Sequence, residues 1–384
     1  MAQPGEERKG APVYKAESFY RRWIESEGIP VYGGFYVESL ATLELKPWGR
    51  MGGKGAYVVL DGMEGTDDAF VLELAPGEAT APERHIFEEV VYVLSGKGET
   101  AVWQEGKAKQ QFTWQEGALF SVPLNSWHQY RNLGASAARL VGVTTAPVVF
   151  DLFHNTDFVF KNDFPFRDRY DGEADYFERS RWFRYEGLRD VNPDDLASVE
   201  TSVVPDIRKL EVKLFPRGYG NSYAFLQMAD NAIAPHIGAF EVGVYGKAHR
   251  HGPGSIIIIV EGKGHSLVWT GDIHYSKGNP HHRVDWQVGS MFVPPLYYFH
   301  QHFNTGKNPG RFVAIGWIGR KYRVDGLGTE THVRPVTHLR EGGNQIDYED
   351  EDPLVRKMFE DEQEKSGVGS RMPPVKYRDL HGSL

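Results

Sequence analysis

The most informative absence from this 384-residue sequence is cysteine, which does not occur at all. Without it the chain has no disulfide and no thiolate ligand, so a bound metal must rest on the 15 histidines or on Asp and Glu. No run approaches the roughly 18 apolar residues of a membrane span, and the opening MAQPGEERKG lacks the apolar core of a signal peptide. A net charge of −9 argues against a nucleic-acid partner. The composition favours a cytoplasmic protein with neither a membrane nor a nucleic-acid partner.

The order of apolar segments indicates a mainly β chain that begins with a helix. Phe19, Trp23 and Ile24 recur at helical intervals, which predicts one N-terminal helix. Short runs rich in β-branched and aromatic residues follow, separated by Gly, Pro and Asn at the spacing of all-β proteins. This pattern occurs twice, first over 34–150 and again over 205–322. The sequence therefore predicts an all-β fold with two similar regions.

The remaining segments lie before, between and after the two β regions. The linking stretch is rich in Phe and Tyr, so we expect it to pack against both β regions as a connector. In the tail, Asp352 is placed to cap a short helix that begins at Pro353. The predicted organisation is a helical segment (1–33), a first β region (34–150), a connector (151–204), a second β region (205–322) and a tail (323–384).

The two β regions share a set of residues at identical intervals, which is the clearest pattern in the chain. The upstream sets are Gly77, Glu83, His85, Glu89 and Gly96 in the first region and Gly243, His249, His251, Ser255 and Gly262 in the second. The downstream sets are Gly117, Pro123, His128 and Asn132, and then Gly289, Pro295, His300 and Asn304. Regions that share so many intervals are predicted to share one fold.

These intervals resemble the two motifs of the cupin superfamily, G-x5-H-x-H-x3-E-x6-G and G-x5-P-x-G-x2-H-x3-N, present twice. The resemblance implies a bicupin, with two double-stranded β-helix (jelly-roll) barrels, and a homodimer or higher homo-oligomer. Asn125 and Tyr297 stand where the second motif has glycine, so the turn there must form without it. Because cupins include dioxygenases, decarboxylases, isomerases and storage proteins, the motifs indicate a fold more strongly than a reaction.

The second region carries the better candidate metal site. Residues i and i+2 of a strand face the same side, so His249 and His251 are predicted to point together into the barrel. The cupin motif implies His300 as the third ligand, and three imidazoles on one side of a metal leave the other side open. Ser255 stands where the usual cupin has a ligand glutamate. The stretch AHRHGPGS in this respect resembles gentisate 1,2-dioxygenase and related ring-cleaving cupins.

Two further histidines are candidate catalytic residues. His302 is a second inward-facing residue on the strand of His300, available as an acid/base or to support a ligand. His236 precedes the second set of motifs and either lines the pocket or is a hydrogen-bonded core residue. The alternative for all the histidines is that they are core residues of a barrel without a metal.

The ligand positions of the first region hold two carboxylates and two histidines: Glu83, His85, Glu89 and His128. Such a set suits Mn, Fe or Zn. The alternative is a structural barrel in which Glu83 pairs with an arginine such as Arg84 or Arg139.

The resemblance implies an Fe(II)-dependent dioxygenase that uses dioxygen to cleave a C–C bond in a hydroxylated aromatic acid or a related chelating enol or diketone. Its substrate would be a small molecule, and Mn, Ni or Zn are alternative metals. A second hypothesis is a Mn- or Zn-dependent decarboxylase, lyase or isomerase that consumes no oxygen. A third is a non-catalytic binding or storage bicupin. Oxygen uptake separates the first two hypotheses, and metal content separates both from the third.

Overall fold

The computed structural model describes residues 16–63, 65–252, 255–322, 324 and 334–378. The described residues form a mostly β structure with few helices, as predicted. Asp352 caps the last helix, since its carboxylate accepts a hydrogen bond from the backbone N–H of Leu354 at 3.0 Å. The helices of the described ranges are α1 (Phe19–Ser26), α2 (Ala146–Phe153), α3 (Thr156–Lys161) and α4 (Pro353–Lys365). Both predicted terminal helices are therefore confirmed.

The first half of the chain supplies eleven strands. They are β1 (Val31–Tyr32), β2 (Tyr36–Val37), β3 (Lys46–Pro47), β4 (Lys54–Val58), β5 (Asp68–Leu74), β6 (Glu89–Ser95), β7 (Lys97–Trp103), β8 (Gln110–Gln115), β9 (Leu119–Ser121), β10 (Trp127–Asn132) and β11 (Ala138–Thr144). In the first barrel a large sheet has the core order β4-β5-β11-β6-β9, and a smaller sheet has the order β10-β7-β8.

The second half supplies the remaining described strands. They are β12 (Ser180–Trp182), β13 (Ser198–Thr201), β14 (Val203–Val204), β15 (Lys213–Leu214), β16 (Asn221–Gln227), β17 (Ala234–Phe240), β18 (Ile256–Glu261), β19 (Lys263–Trp269), β20 (His281–Gln287), β21 (Met291–Phe292), β22 (Phe299–Asn304) and β23 (Gly310–Gly316). The large sheet of the second barrel contains β16-β17-β23-β18-β21, and the small sheet is β20-β19-β22.

The predicted repeat is confirmed strand by strand. The order β5-β11-β6-β9 in the first barrel recurs as β17-β23-β18-β21 in the second, and β10-β7-β8 recurs as β22-β19-β20. The asparagine of the downstream motif also makes the same set of hydrogen bonds in each barrel. The Nδ2 of Asn132 donates to the carbonyls of Leu74 and Ser136, and its Oδ1 accepts from the N–H of Gly134. Asn304 makes the corresponding bonds in the second barrel.

The two barrels also exchange short strands. β2, from the N-terminal segment, pairs with β21 of the second barrel. β14, which precedes the second barrel, pairs with β9 of the first. Each barrel is therefore extended by a short strand that comes from outside its own stretch of the chain.

The barrels meet directly, and the connector also packs against both of them as predicted, since β13 pairs with β16 of the second barrel and β14 with β9 of the first. One apolar core contains side chains of both large sheets, among them Val90 and Leu119 of the first barrel and Ile256 and Val313 of the second. In the connector, the buried ring of Phe177 belongs instead to the aromatic core of the first barrel. Apolar faces of two sheets pack well against each other, so the two barrels share one core. In the part of the chain that the structure describes, no helix is long and apolar enough to span a membrane.

The turn that lacks the motif glycine keeps the conformation that glycine would supply. Asn125 has φ 54° and Tyr297 has φ 58°, both in the left-handed region that ordinary residues seldom adopt. In the first barrel the Asn125 Nδ2 donates to the carbonyls of Asn162 and Phe164 at 3.0 and 2.9 Å. Tyr297 has a side chain that is 48% exposed. Both turns therefore carry a left-handed residue, and in the first turn side-chain hydrogen bonds of that residue offset the cost.

We expect Tyr297→Gly to raise the free energy of unfolding by about 1 kcal/mol, because it removes the left-handed penalty at little cost in packing. Asn125→Gly is the matched control, and it should destabilise the protein because two partly buried hydrogen bonds are lost. Urea denaturation of both variants checks this. If Tyr297→Gly instead destabilises the protein, then packing of the Tyr297 side chain stabilises the fold by more than its left-handed backbone conformation destabilises it.

Candidate metal centre and cavity

The second barrel brings His249, His251 and His300 together as predicted. His300 lies on β22, and His249 lies in the segment between β17 and β18. The two residues form a backbone bridge, in which the N–H of His249 donates to the carbonyl of His300 at 3.1 Å and the reverse bond is 2.8 Å. Because this pairing fixes both backbones, the imidazoles are held together before any ligand binds.

The donor atoms of the three imidazoles converge on one point. One nitrogen from each ring lies within 4.8 Å of the other two. The ring centroid of His300 is 4.2 Å from that of His249 and 4.5 Å from that of His251. Donors this close need at most a small adjustment to bind one ion at about 2.0–2.1 Å, the usual Zn–N distance.

Backbone carbonyls orient the rings for metal binding. The Nδ1 atoms of His249, His251 and His300 lie 3.3, 3.0 and 3.1 Å from the carbonyl oxygens of Lys247, Gly252 and Tyr298, respectively. A carbonyl accepts only, so each Nδ1 carries the proton and each Nε2 keeps its lone pair. Metal-bound histidines in proteins are commonly held in this way. The residues present thus fit a transition-metal ion.

The electrostatic environment keeps these rings neutral, as metal ligands must be. Burial, together with the charge of Arg217 and the neighbouring imidazoles, lowers the pKa of His249 well below its usual value. Burial and the adjacent imidazoles do the same to the pKa of His300. Burial lowers the pKa of His251 to about 4. All three rings can therefore accept a cation without first losing a proton at neutral pH.

His302 lies beside this centre but is oriented differently. Its Nδ1 is 2.7 Å from the Oγ of Ser266, and that oxygen also accepts a hydrogen bond from the indole N–H of Trp286. The buried Ser266 hydroxyl needs an acceptor for its own hydrogen, and Nδ1 of His302 supplies it. Neutral His302 then carries its proton on Nε2. It presents a donor to the cavity, whereas the three ligand histidines present lone pairs.

His236 lines the same cavity from strand β17. Burial, followed by the charges of Arg217 and His251, lowers the pKa of His236 well below its usual value. Its Nδ1 is buried and has no hydrogen-bond partner in the described part of the chain. The structure therefore favours the pocket position over that of a hydrogen-bonded core histidine.

The cavity that contains these histidines is positively charged and partly aromatic. Its lining includes Arg217, Arg250 and Arg320, and no Asp or Glu occurs among the lining residues that the structure describes. Phe215, Tyr223, Phe225 and Phe312 form much of its apolar surface. The sequence did not point to these arginines, because Arg217 and Arg320 lie outside the spaced motifs and Arg250 alternates with the two histidines, on the face expected to point away from them. A cavity of this composition suits an anionic ligand with an apolar body.

Arg217 is directed at the convergence point of the triad. Its Nη1 lies 2.8 Å from the Nε2 of His249, and its Nη2 donates to the carbonyl of Pro335 at 3.0 Å. A guanidinium has no lone pair to offer a metal, and its charge repels one. The guanidinium is therefore placed to bind an anionic group that occupies the open side of the ion, once the ion takes the His249 nitrogen.

The first barrel reproduces the site with different chemistry. Glu83 and His128 form the same backbone bridge as the corresponding pair in the second barrel, and together with His85 they have donor atoms within 4.8 Å of one another. Backbone carbonyls again hold Nδ1 of His85 and His128, at 2.9 and 3.1 Å. Glu89 lies just outside this group, with its carboxylate 3.1 Å from Nε2 of His85 and bonded to Tyr130.

An arginine forms an ion pair with Glu83 in the first barrel, but it is neither Arg84 nor Arg139. Glu83 pairs with Arg50, which also donates to Glu27 at 2.8 Å. The chain between α1 and β4 brings Arg50 there, a long-range contact that the local sequence does not reveal. Arg139 pairs with Glu73 instead. Burial raises the pKa of Glu83, but the charge of Arg50 together with the contacts of His128 and His85 outweighs burial and lowers this pKa to about 2.

We expect Arg50→Met to lower the free energy of unfolding by about 3 kcal/mol in metal-free buffer, because it leaves Glu83 buried without its cation. Added Mn(II) should restore part of this loss, since an ion can replace the guanidinium. Denaturation with and without Mn(II) checks both effects. Equal stability of wild type and variant would mean that the ion pair contributes little.

Comparisons with known proteins agree with this architecture. The family model described as the cupin domain matches residues 70–144, which lie in the first barrel. The second barrel repeats the strand order of the first, so the fold is that of a two-barrel cupin. No curated protein matches the sequence.

Several solved structures are similar to the chain. One is a single-residue variant of oxalate decarboxylase from Bacillus subtilis, with 15% identity and a TM-score of 0.46 over 82% of this chain and 87% of that one. Another is oxalate decarboxylase from Lactobacillus farciminis in complex with formate, with 13% identity and a TM-score of 0.48 over 88% and 96% of the two chains.

Proposed function

We propose that the chain is a metal-dependent enzyme whose second barrel binds a divalent transition-metal ion through His249, His251 and His300. The observation that carries this proposal is the convergence of one nitrogen from each of three imidazoles in an arginine-lined cavity without described carboxylates. Three protein ligands leave coordination positions for a substrate. The first barrel contributes mainly to structure, because Arg50 already neutralises Glu83.

The missing fourth ligand decides which chemistry we propose. Ser255 is buried and lines the cavity, and a neutral hydroxyl is a weak ligand beside three imidazoles. The ion would keep its full positive charge and several open positions. These features suit Fe(II) and a substrate that chelates through two oxygens while dioxygen also binds. We therefore propose a dioxygenase that cleaves a C–C bond of a hydroxylated aromatic acid or a related chelating enol or diketone.

The residues of the cavity would bind and orient such a substrate. Arg217 would donate hydrogen bonds to its anionic oxygens at the open side of the triad. His302 would donate from Nε2–H to an oxygen that gains negative charge during the reaction, and it would hold its proton there. The rings of Phe225 and Phe312 would exclude water from one face of the substrate. When bound, Fe(II) would supply the reactivity toward dioxygen that side chains lack.

A metal-dependent decarboxylase is the second candidate. The observation that favours it is the Tyr223 hydroxyl, which lines the cavity and is hydrogen-bonded with Arg217. Burial raises the pKa of Tyr223, although Arg217 opposes this, so the phenol keeps its proton at neutral pH. Loss of carbon dioxide leaves a carbanion that must be protonated, and a phenol beside an arginine can provide that proton. This reaction would proceed without oxygen.

Oxygen consumption tests the proposed reaction. Protein loaded anaerobically with Fe(II) would be mixed with gentisate, salicylate, acetylacetone or oxalate, and dioxygen uptake would be followed with an electrode. We expect uptake with at least one hydroxylated acid or diketone, and none with protein stripped of metal. Release of carbon dioxide from oxalate under anaerobic conditions would instead identify the decarboxylase. If the protein retains no metal, either as expressed or after incubation with Fe(II), a binding or storage role is favoured instead.

A further inference from the structure

Arg320 is a cavity residue that the proposed reaction leaves without a role. It follows β23, and its backbone N–H donates to Oε1 of Gln227 at 2.8 Å. Its guanidinium carbon lies 4.4 Å from the ring centroid of Phe225 and 4.5 Å from that of Tyr185. Contacts with two ring faces fix the plane of the guanidinium and hold its charge within the cavity.

This cation has no acidic partner among the residues that the structure describes. Its Nε is buried without a hydrogen-bond partner, and Tyr185 supplies a hydrogen bond but no negative charge. The next residue, Lys321, differs, since its ammonium lies 2.7 Å from a carboxylate oxygen of Asp230 and 3.7 Å from one of Glu200. Burial of an unpaired cation is unfavourable. An anionic ligand would remove that penalty.

The position of Arg320 relative to the triad is set by strand β16. Tyr223 and Phe225 are two residues apart on that strand, and their ring centroids are 6.2 Å apart on one face. Arg217 is hydrogen-bonded with Tyr223, whereas Arg320 lies over Phe225. The ring centroid of His236 is 5.7 Å from that of Tyr223 and 5.8 Å from that of Phe225. The two guanidinium groups therefore lie beside neighbouring rings of one strand, in the cavity that His236 also lines.

We propose that Arg320 is a specificity-determining residue that binds a second acidic group of the substrate. One anionic group would meet the triad and Arg217, the other would meet Arg320, and the apolar body between them would lie along the rings of β16. The substrate class is thus a compact dianion with an apolar or aromatic body. This inference rests on the proposed function for the position of the first group.

Calorimetric titration of Mn(II)-loaded protein with matched probes tests the proposal. The dianions are terephthalate and succinate, and the monoanions are benzoate and succinamate. Wild type should bind at least one dianion about tenfold to a hundredfold more tightly than its matched monoanion, since a charge-assisted, bidentate contact is added. Arg320→Met should abolish this preference while leaving monoanion affinity unchanged. Arg320→Lys should keep part of it, and Lys321→Met should keep all of it.

Three results would overturn the role of Arg320. They are no dianion preference in wild type, an unchanged preference in Arg320→Met, and an equal loss of dianion and monoanion affinity in that variant, which would indicate a structural role. The same titrations on metal-free protein separate this inference from the proposed function. If metal removal changes no affinity while the dianion preference still depends on Arg320, the metal-centred function fails and the second anion site stands.

Discussion

His300→Ala should remove the metal from the second barrel and abolish turnover, whereas His302→Ala should keep the metal and lose most activity. His300 supplies one of three converging Nε2 atoms, so two imidazoles would remain to hold the ion. Substitution of a residue that only hydrogen-bonds to a metal ligand typically lowers metal affinity about 10- to 100-fold, and loss of a ligand itself should lower it more. The predicted proton on Nε2 of His302 makes it a donor to substrate, which is typically worth about 10²- to 10⁴-fold in rate.

Metal analysis and turnover measured on the same preparations check this contrast. His128→Ala is the control, because His128 occupies the position of His300 in the first barrel. It should leave second-barrel metal and turnover unchanged. Equal metal loss in the His300 and His302 variants would mean that the distinction between ligand and donor, drawn from the Ser266 contact, is wrong.

Ser255→Glu should move metal affinity and activity in opposite directions. A glutamate at this buried cavity position would add a fourth, negatively charged ligand, so the ion should be held as tightly as in wild type or more so. The same carboxylate would cancel part of the charge of the ion and occupy a position that substrate or dioxygen needs. We expect turnover to fall about tenfold or more, equivalent to at least about 1.4 kcal/mol in the barrier.

Competition with a fluorescent chelator gives the affinity, and oxygen uptake gives the rate. Ser255→Ala serves as the control, and it should retain both metal and turnover because the hydroxyl is not a ligand. Faster oxygen-dependent turnover in Ser255→Glu would contradict the argument that open coordination positions serve the reaction.

The architecture could be predicted from the sequence because it depends on local signals. The spaced glycines, prolines and asparagines mark turns, and each turn fixes the register of neighbouring strands. Asn132 and Asn304 show this clearly, since each bridges the same three backbone groups in its own barrel. Two members of the triad followed from their i and i+2 positions, and the third, His300, followed from the resemblance to the cupin motif.

The charged surroundings of the site could not be predicted in this way. Arg217 reaches His249 from a loop before β16, and Arg320 enters the cavity from the end of β23. Arg50 reaches Glu83 across a separation of 33 residues. Such contacts depend on how the loops pack over the barrel mouths, which no periodicity encodes. The exchange of β2 and β14 between barrels and the direct packing of the barrels were missed for the same reason.

Metal content tests the central claim most directly. Wild type, His85→Ala/His128→Ala and His249→Ala/His300→Ala would be purified without added metal and analysed by mass spectrometry for transition metals. We predict about one equivalent in wild type and in the first-barrel variant, and essentially none in the second-barrel variant. Wild-type metal content in His249→Ala/His300→Ala, with loss in His85→Ala/His128→Ala, would place the metal in the first barrel and contradict the account.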